Sequence, residues 1–272
     1  MSTVSVIIPT WNRANTLKRA IVSALNQTHP VTEVLVCDDG STDNSKQIIL
    51  ELNDKRVKWC EGKRAGMPSI PRNRGIAIST GEWLAFLDSD DEWLPNKIET
   101  QISFAQKMGT EAVYSNAFHI TAKGTTEKLF SGYDKDRVSF YNLLEANYII
   151  CSTSMIKRSL IPFVVGFPEA EEMCSIEDYA LWLRVATKTD FAFVNKPLAN
   201  YFDLGVQATI RSNYTDTWDQ RIEIFSDLIS WFKTRKGVEK SKYFPSAKLE
   251  FKKAMKMRKK SILLYTIKQF FS

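Results

Sequence analysis

An α/β fold, built on a mostly parallel sheet flanked by helices and followed by a helical C-terminal extension, is predicted by three observations. Over the first ~115 residues, short β-branched apolar runs alternate with segments of helical periodicity, the pattern of repeated βαβ units. Each of three polar clusters, TWNR, DDGS and DSDD, directly follows one of the apolar runs. From Asp216 to Phe232, and again from Ala247 onward, the periodicity is helical.

VSVIIP (Val4 to Pro9) is a β-branched run ended by proline, as expected for a strand buried on both faces. After TWNR, the three- and four-residue spacing of Leu17, Ala20, Ile21, Ala24 and Leu25 predicts an amphipathic helix. EVLVCDDGS (Glu33 to Ser41) is a second strand closing in carboxylates and glycine. STDNSKQIILELN begins with capping-type residues and continues as a helix. RVKWCE is a third strand, SIPRNRGIAIST reads as a loop entering a helix, and EWLAFLD is the fourth strand. PNKIETQISFAQKM predicts a helix with Pro95 in its first turn, and AVYSNAFHI a further strand. Beyond Ile120 the pattern is less regular, although Ile176 to Thr189 (IEDYALWLRVATKT) has helical spacing after a carboxylate pair. In an open α/β sheet, ligands bind outside the carboxyl ends of the strands. The three polar clusters are therefore expected to meet in one crevice.

Composition excludes several classes. A hydrophobic share of 44% and a charged share of 25% are those of a globular chain able to form a core. Cys37, Cys60, Cys151 and Cys174 lie far apart with no C-x-x-C spacing, so reduced, mostly buried thiols are expected. No stretch approaches the ~20 apolar residues of a membrane-spanning helix, and the start of the chain lacks the basic and apolar regions of a signal peptide. A cytoplasmic protein is expected, peripheral on the inner face of the membrane if attached at all. The net charge is +6, but residues 241–272 hold nine Lys and Arg against one acid, so the basic excess belongs to the tail. This distribution argues against nucleic acid as a partner. KKAMKMRKKSILLYTIKQFF combines that charge with apolar residues, the mixture suited to an anionic lipid surface. The other reading is a solvated helix packed on the domain.

The clusters have definite chemistry. Asp88-Ser89-Asp90 supplies charged oxygens of the kind a hard divalent cation takes, with waters and a substrate diphosphate completing the shell; it also suits a helix N-terminus, and Asp91 is assigned either to that capping or to a secondary contact. In DDGST, Asp39 is favoured over Asp38 to accept hydrogen bonds from a nucleobase or ribose, although Asp-Gly is also a plain turn. Neither G-x-G-x-x-G after the first strand nor G-x-x-x-x-G-K-[ST] occurs. A diphosphate would instead need a metal and arginines, for which Arg13, Arg72 and Arg74 are available. With only His29 and His119 in the chain, a carboxylate is the expected base. Glu177-Asp178, at the start of a helix, offers one; dipole compensation would also place acids there.

Together, VSVIIPTWNR, VLVCDDGSTD, PRNRGI, GEWLAFLDSDDEW and EDYALWLRV resemble family 2 glycosyltransferases, inverting enzymes with a GT-A fold, of the kind that build bacterial O-antigen and capsule polysaccharides. The resemblance implies a Rossmann-like GT-A domain over residues 1–215, with a nucleotide-sugar half to about residue 115 and an acceptor half from 116, and a helical extension over 216–272 with a basic amphipathic tail. It implies a UDP-sugar donor, with Pro9, Thr10 and Arg13 lining the nucleotide site, Asp39 on the base, and Arg72 as the arginine of the R-N-x-G segment. Asp88 would lie near the ribose with Ser89 beside it in the nucleotide site, and Asp90 would hold Mn²⁺ or Mg²⁺ across the diphosphate. Asp178 would be the catalytic base, giving a β linkage to an undecaprenyl-diphosphate-linked glycan. The stretch YFDLGVQATIRSN lacks the histidine that many relatives carry there, which puts a third protein ligand to the metal in doubt; Arg211 and Ser212 remain as possible diphosphate contacts. A phosphatase of the haloacid dehalogenase type would place its D-x-D after the first strand, not the fourth. A non-catalytic nucleotide-sugar binder is the alternative reading.

Overall fold

A computed structural model of the chain describes residues 1–126, 135–204, 217–235 and 240–270; of these, the side chains at 126, 240, 241 and 262–270 are left undescribed. The alternation read from sequence is present: β1 (Val4–Thr10), α1 (Leu17–Leu25), β2 (Glu33–Asp38), α2 (Ser45–Leu52), β3 (Val57–Cys60), α3 (Ser69–Ile78) and β4 (Trp83–Phe86). Then follow β5 (Glu92–Trp93), α4 (Lys97–Met108), β6 (Ala112–Thr121), β7 (Gly124–Thr126), β8 (Arg137–Val138), α5 (Phe140–Glu145) and β9 (Met155–Lys157). The chain continues through α6 (Ile161–Val164), α7 (Glu177–Val185), β10 (Phe191–Asp203), α8 (Thr217–Thr234) and α9 (Lys240–Phe270).

One sheet runs β3-β2-β1-β4-β9-β6-β10-β5. β1 is parallel to both β2 and β4, and β10 is parallel to β6. β9 is antiparallel to both β4 and β6, so it joins the two parallel groups without reversing their direction. The carboxyl ends of β1, β2, β4, β6 and β10 therefore share one edge. Alternate residues of β1 feed two cores: Ile7 packs with Leu35, Phe86 and Trp182 on one face, while Val6 and Ile8 pack with Ile21, Val36 and Ile98 on the other.

Helix α3 begins earlier than the sequence implies, because Pro71 falls in its first turn, where no N–H is required. Its Gly75 lies against the sheet, and a Cβ there would stand 2.7 Å from Cys37 Sγ and 2.9 Å from Ile7 Cγ2. Strand β10 was not apparent from sequence. Asn195, Lys196 and Pro197 interrupt its apolar alternation, and the pairing with β6 shifts register on either side of Pro197. Helix α4 starts at Lys97, with Pro95 just outside it.

The extension packs on the domain. Ile224, Phe225, Leu228, Trp231 and Phe232 of α8, and Ala247 of α9, join the core beneath α7. Arg184 of α7 donates to both carboxylate oxygens of Asp227, at 2.7 and 2.6 Å. All four cysteines are free, and three are buried. Among the described residues no helix is long and apolar enough to cross a membrane.

Candidate active site

A crevice of about 640 Å³ opens along the carboxyl edge of the sheet. Pro9, Thr10, Arg13, Asp39, Arg72, Asp88, Ser89, Asp90 and Asp178, all assigned a role from sequence, line it. Arg211 and Ser212 lie outside the described residues. Arg74 does not line the crevice; its guanidinium turns under the β2 loop and donates to the carbonyl of Asp38 at 2.6 Å.

The first two loops are stitched to each other. Asn12 adopts a left-handed φ of 50°, which asparagine tolerates. Its side-chain oxygen accepts the N–H of Thr42 at 2.8 Å, while its own N–H donates to Ser41 Oγ at 2.9 Å. Asp38 closes the turn, accepting the N–H groups of Gly40 and Ser41 at 3.0 Å each. That leaves Asp39 for the crevice. Its carboxylate accepts the N–H groups of Ala65 at 2.7 Å and Gly66 at 3.0 Å and pairs with the Arg64 guanidinium, which also stacks over the Trp11 ring at 3.7 Å.

In the D-x-D loop the three acids have different surroundings. Asp88 accepts a hydrogen bond from Arg72 at 2.6 Å. Asp90 lies 3.7 Å from Arg13, a loose contact for a carboxylate, and burial followed by the charge of Asp88 raises its pKa. Arg19 donates to the Asp90 carbonyl at 2.5 Å and stacks over Phe202. Asp91 does not cap α4, whose N-cap Asn96 has no side-chain cap. It is buried, accepting the Ser152 hydroxyl and the Phe202 N–H at 2.9 Å, and so ties the loop to β10. Burial and the other two acids hold its pKa well above the usual carboxylate range.

Arg72, only 4% exposed, joins the halves of the site. One terminal nitrogen donates to Asp88 and the other to Glu177, each at 2.6 Å, although Glu177 lies 105 residues further along the chain. Both terminal nitrogens are thus engaged with carboxylates. Burial opposes the charge of Arg72, yet the neighbouring acids raise its pKa well above the usual range. Asp178 follows Glu177 at the first turn of α7, after Ser175 at a left-handed φ of 75°. Burial, then the charge of Glu177, pushes the Asp178 carboxyl up to about 7 against the opposing charge of Arg72. A carboxylate titrating there is matched to general-base work near neutral pH.

Sequence reasoning missed Trp11, Arg64, Arg19, His119 and Asp203, all of which line the crevice. His119 Nε2 lies 3.3 Å from Asp203 Oδ2, brought there by the β6–β10 pairing. Among the described residues no three His, Cys, Asp or Glu side chains cluster to hold a metal. Asp90, at the crevice with a loose contact to Arg13, is the carboxylate that would hold a divalent cation.

Residues 5–162 match the sequence profile described as Glycosyl transferase family 2. The chain belongs to that family. It is 32% identical over 228 residues to the Escherichia coli UDP-Glc:alpha-D-GlcNAc-diphosphoundecaprenol beta-1,3-glucosyltransferase WfgD, covering 83% of this chain and 86% of WfgD. WfaP, an E. coli protein with the same description, is 33% identical over 193 residues, covering 69% of this chain and 72% of its own. The S. aureus TarS 1–349 structure in complex with UDP-GlcNAc superposes with a TM-score of 0.72 at 19% identity, covering 93% of this chain and 71% of that one. That likeness bears on the fold alone. This family 2 glycosyltransferase thus has the expected GT-A architecture, with Asp88-Ser89-Asp90 and Glu177-Asp178 in one crevice.

Proposed function

We propose that this glycosyltransferase moves a hexose or N-acetylhexosamine, with glucose or galactose favoured, from a UDP-sugar to an undecaprenyl-diphosphate-linked glycan during surface polysaccharide synthesis, with inversion to a β linkage. The observation that carries the reading is the Arg72 bridge, which holds Asp88 beside the Glu177-Asp178 pair in a single crevice. The activities of WfgD and WfaP support the lipid-linked acceptor and favour glucose.

Asp178 takes the proton of the acceptor hydroxyl. The acceptor oxygen then bonds to the anomeric carbon as the bond from that carbon to the β-phosphate oxygen breaks, and UDP leaves with the electron pair. Attack from the face opposite the leaving group inverts the centre. Mn²⁺ or Mg²⁺, held by Asp90, would supply Lewis-acid stabilisation of the diphosphate charge when bound. Arg13 reinforces that side, and Arg72 holds Asp88 and Glu177 in place.

Incubation with a panel of UDP-sugars, Mn²⁺ and a GlcNAc-diphospho-lipid acceptor tests the reading by product formation. Asp178→Asn is expected to lower kcat by about 10²–10⁴-fold while retaining UDP affinity, because only the proton acceptor is lost. An unchanged rate of UDP release in that variant would take the base role from Asp178, and no UDP release from any donor in the wild type would favour the non-catalytic nucleotide-sugar binder instead.

The tail supports a membrane-side acceptor. Lys252, Lys253, Lys256, Lys259 and Lys260 are exposed, and their spacing places them on one face of α9. On the other face Ala254 is buried and Arg258 pairs with Asp219 at 2.6 Å. The lysine stripe suits the anionic headgroups of the cytoplasmic leaflet.

A further inference from the structure

The contacts of Arg64 have a ligand-like geometry. Its guanidinium is planar, stacks on the Trp11 ring at 3.7 Å and pairs edge-on with the Asp39 carboxylate. A pyrimidine offers the same two features, a flat face for stacking and an N–H edge for a carboxylate. Two of the three partners of Asp39 are backbone N–H groups, those of Ala65 and Gly66. The third, Arg64, is a long side chain still 39% exposed, and can be exchanged without moving the backbone. The loop that carries it is seated closely: at Gly40, with φ +78°, a Cβ would stand 2.7 Å from the Arg64 backbone nitrogen. The guanidinium is therefore delivered to this position by a packed loop.

From this geometry we infer that Arg64 occupies the nucleobase seat of its own donor site and acts as a gate. The base displaces the guanidinium from Trp11 and Asp39 on entry, and the site recloses on itself when the nucleotide departs. This rests on the reading of the crevice as a UDP-sugar site. An internal competitor lowers apparent affinity by the fraction of time the seat is open, so removing it tightens binding without adding a contact.

The experiment is titration of uridine and of UDP into the full chain, followed by tryptophan fluorescence and by calorimetry, for wild type, Arg64→Ala, Arg64→Gln and Trp11→Ala. Both Arg64 variants are expected to bind uridine about 3- to 10-fold more tightly than wild type, the gain expected if the seat is closed most of the time. Trp11→Ala should weaken both ligands. Uridine affinity unchanged or reduced in the Arg64 variants overturns the gate, and a loss confined to UDP reassigns Arg64 to the phosphates. If Trp11→Ala binds both ligands as wild type does, the nucleobase seat itself is misplaced and the gate falls with it. Matching thermal unfolding of the Arg64 variants and wild type establishes that the loop change is local.

Discussion

Asp178 and Glu177 are adjacent acids with opposed duties. Glu177 is committed to Arg72, and its charge, together with burial, is what brings Asp178 to about 7. In the proposed role of base Asp178 must be ionised to accept a proton, so kcat/KM is expected to rise with pH through a limb near that value. Glu177→Gln removes a like charge and leaves Arg72 with one acid fewer. Both changes favour ionised Asp178, so the limb should move to lower pH in a pH–rate profile, whereas a purely structural role for Glu177 would lower the rate without moving it. The acids of the D-x-D loop separate similarly, into Asp88 on Arg72, Asp90 at the crevice and Asp91 buried as a tether. Sequence set Asp91 apart from Asp88 and Asp90 but did not show it as a tether, because Ser152 and Phe202, which claim it, come from segments with no periodic signal.

At the level of elements, parallel strands and their helices were legible because each buries both faces or one stripe, and burial writes itself into residue order. The elements that sequence missed are those whose pattern is broken or too short: β10 with its Pro197 irregularity, two-residue β5, and β9, three residues long and antiparallel between its neighbours. The far edge of the sheet is pinned differently from the site. Glu33 on β2 accepts Ser5 Oγ at 2.7 Å, the Thr80 N–H and hydroxyl at 2.8 Å each, and Lys58 at 2.8 Å. Burial alone would raise its pKa, but these donors outweigh it and hold the carboxyl at about 2. A carboxyl depressed on folding stabilises above its unfolded pKa of about 4.3 and loses that contribution as pH falls toward the folded value. Glu33→Gln should therefore lower the urea midpoint near neutral pH and flatten its decline below a pH of about 4, with UDP affinity unchanged.

Across the whole molecule, charge is segregated from chemistry. The crevice gathers acids and arginines at one edge of the sheet, while the lysine stripe lies on a terminal helix anchored by α8. With each lysine near an anionic surface contributing ~1 kcal/mol, Lys252→Glu, Lys256→Glu and Lys259→Glu together should weaken flotation with phosphatidylglycerol-containing vesicles by about 100-fold or more, and leave binding to neutral vesicles unchanged. UDP-sugar turnover with a soluble acceptor should be preserved, since the core-facing side of α9 is untouched. A chimera of two relatives joined anywhere between residues 72 and 177 takes Arg72 from one parent and its partner at 177 from the other. The Arg72 guanidinium crosses that junction. A chimera that imports a different residue opposite it, in place of Glu177, would leave a buried cation half-neutralised in the crevice and shift the titration of Asp178 beside it. Recombination designs in this scaffold should therefore treat position 72 and position 177 as one inherited unit.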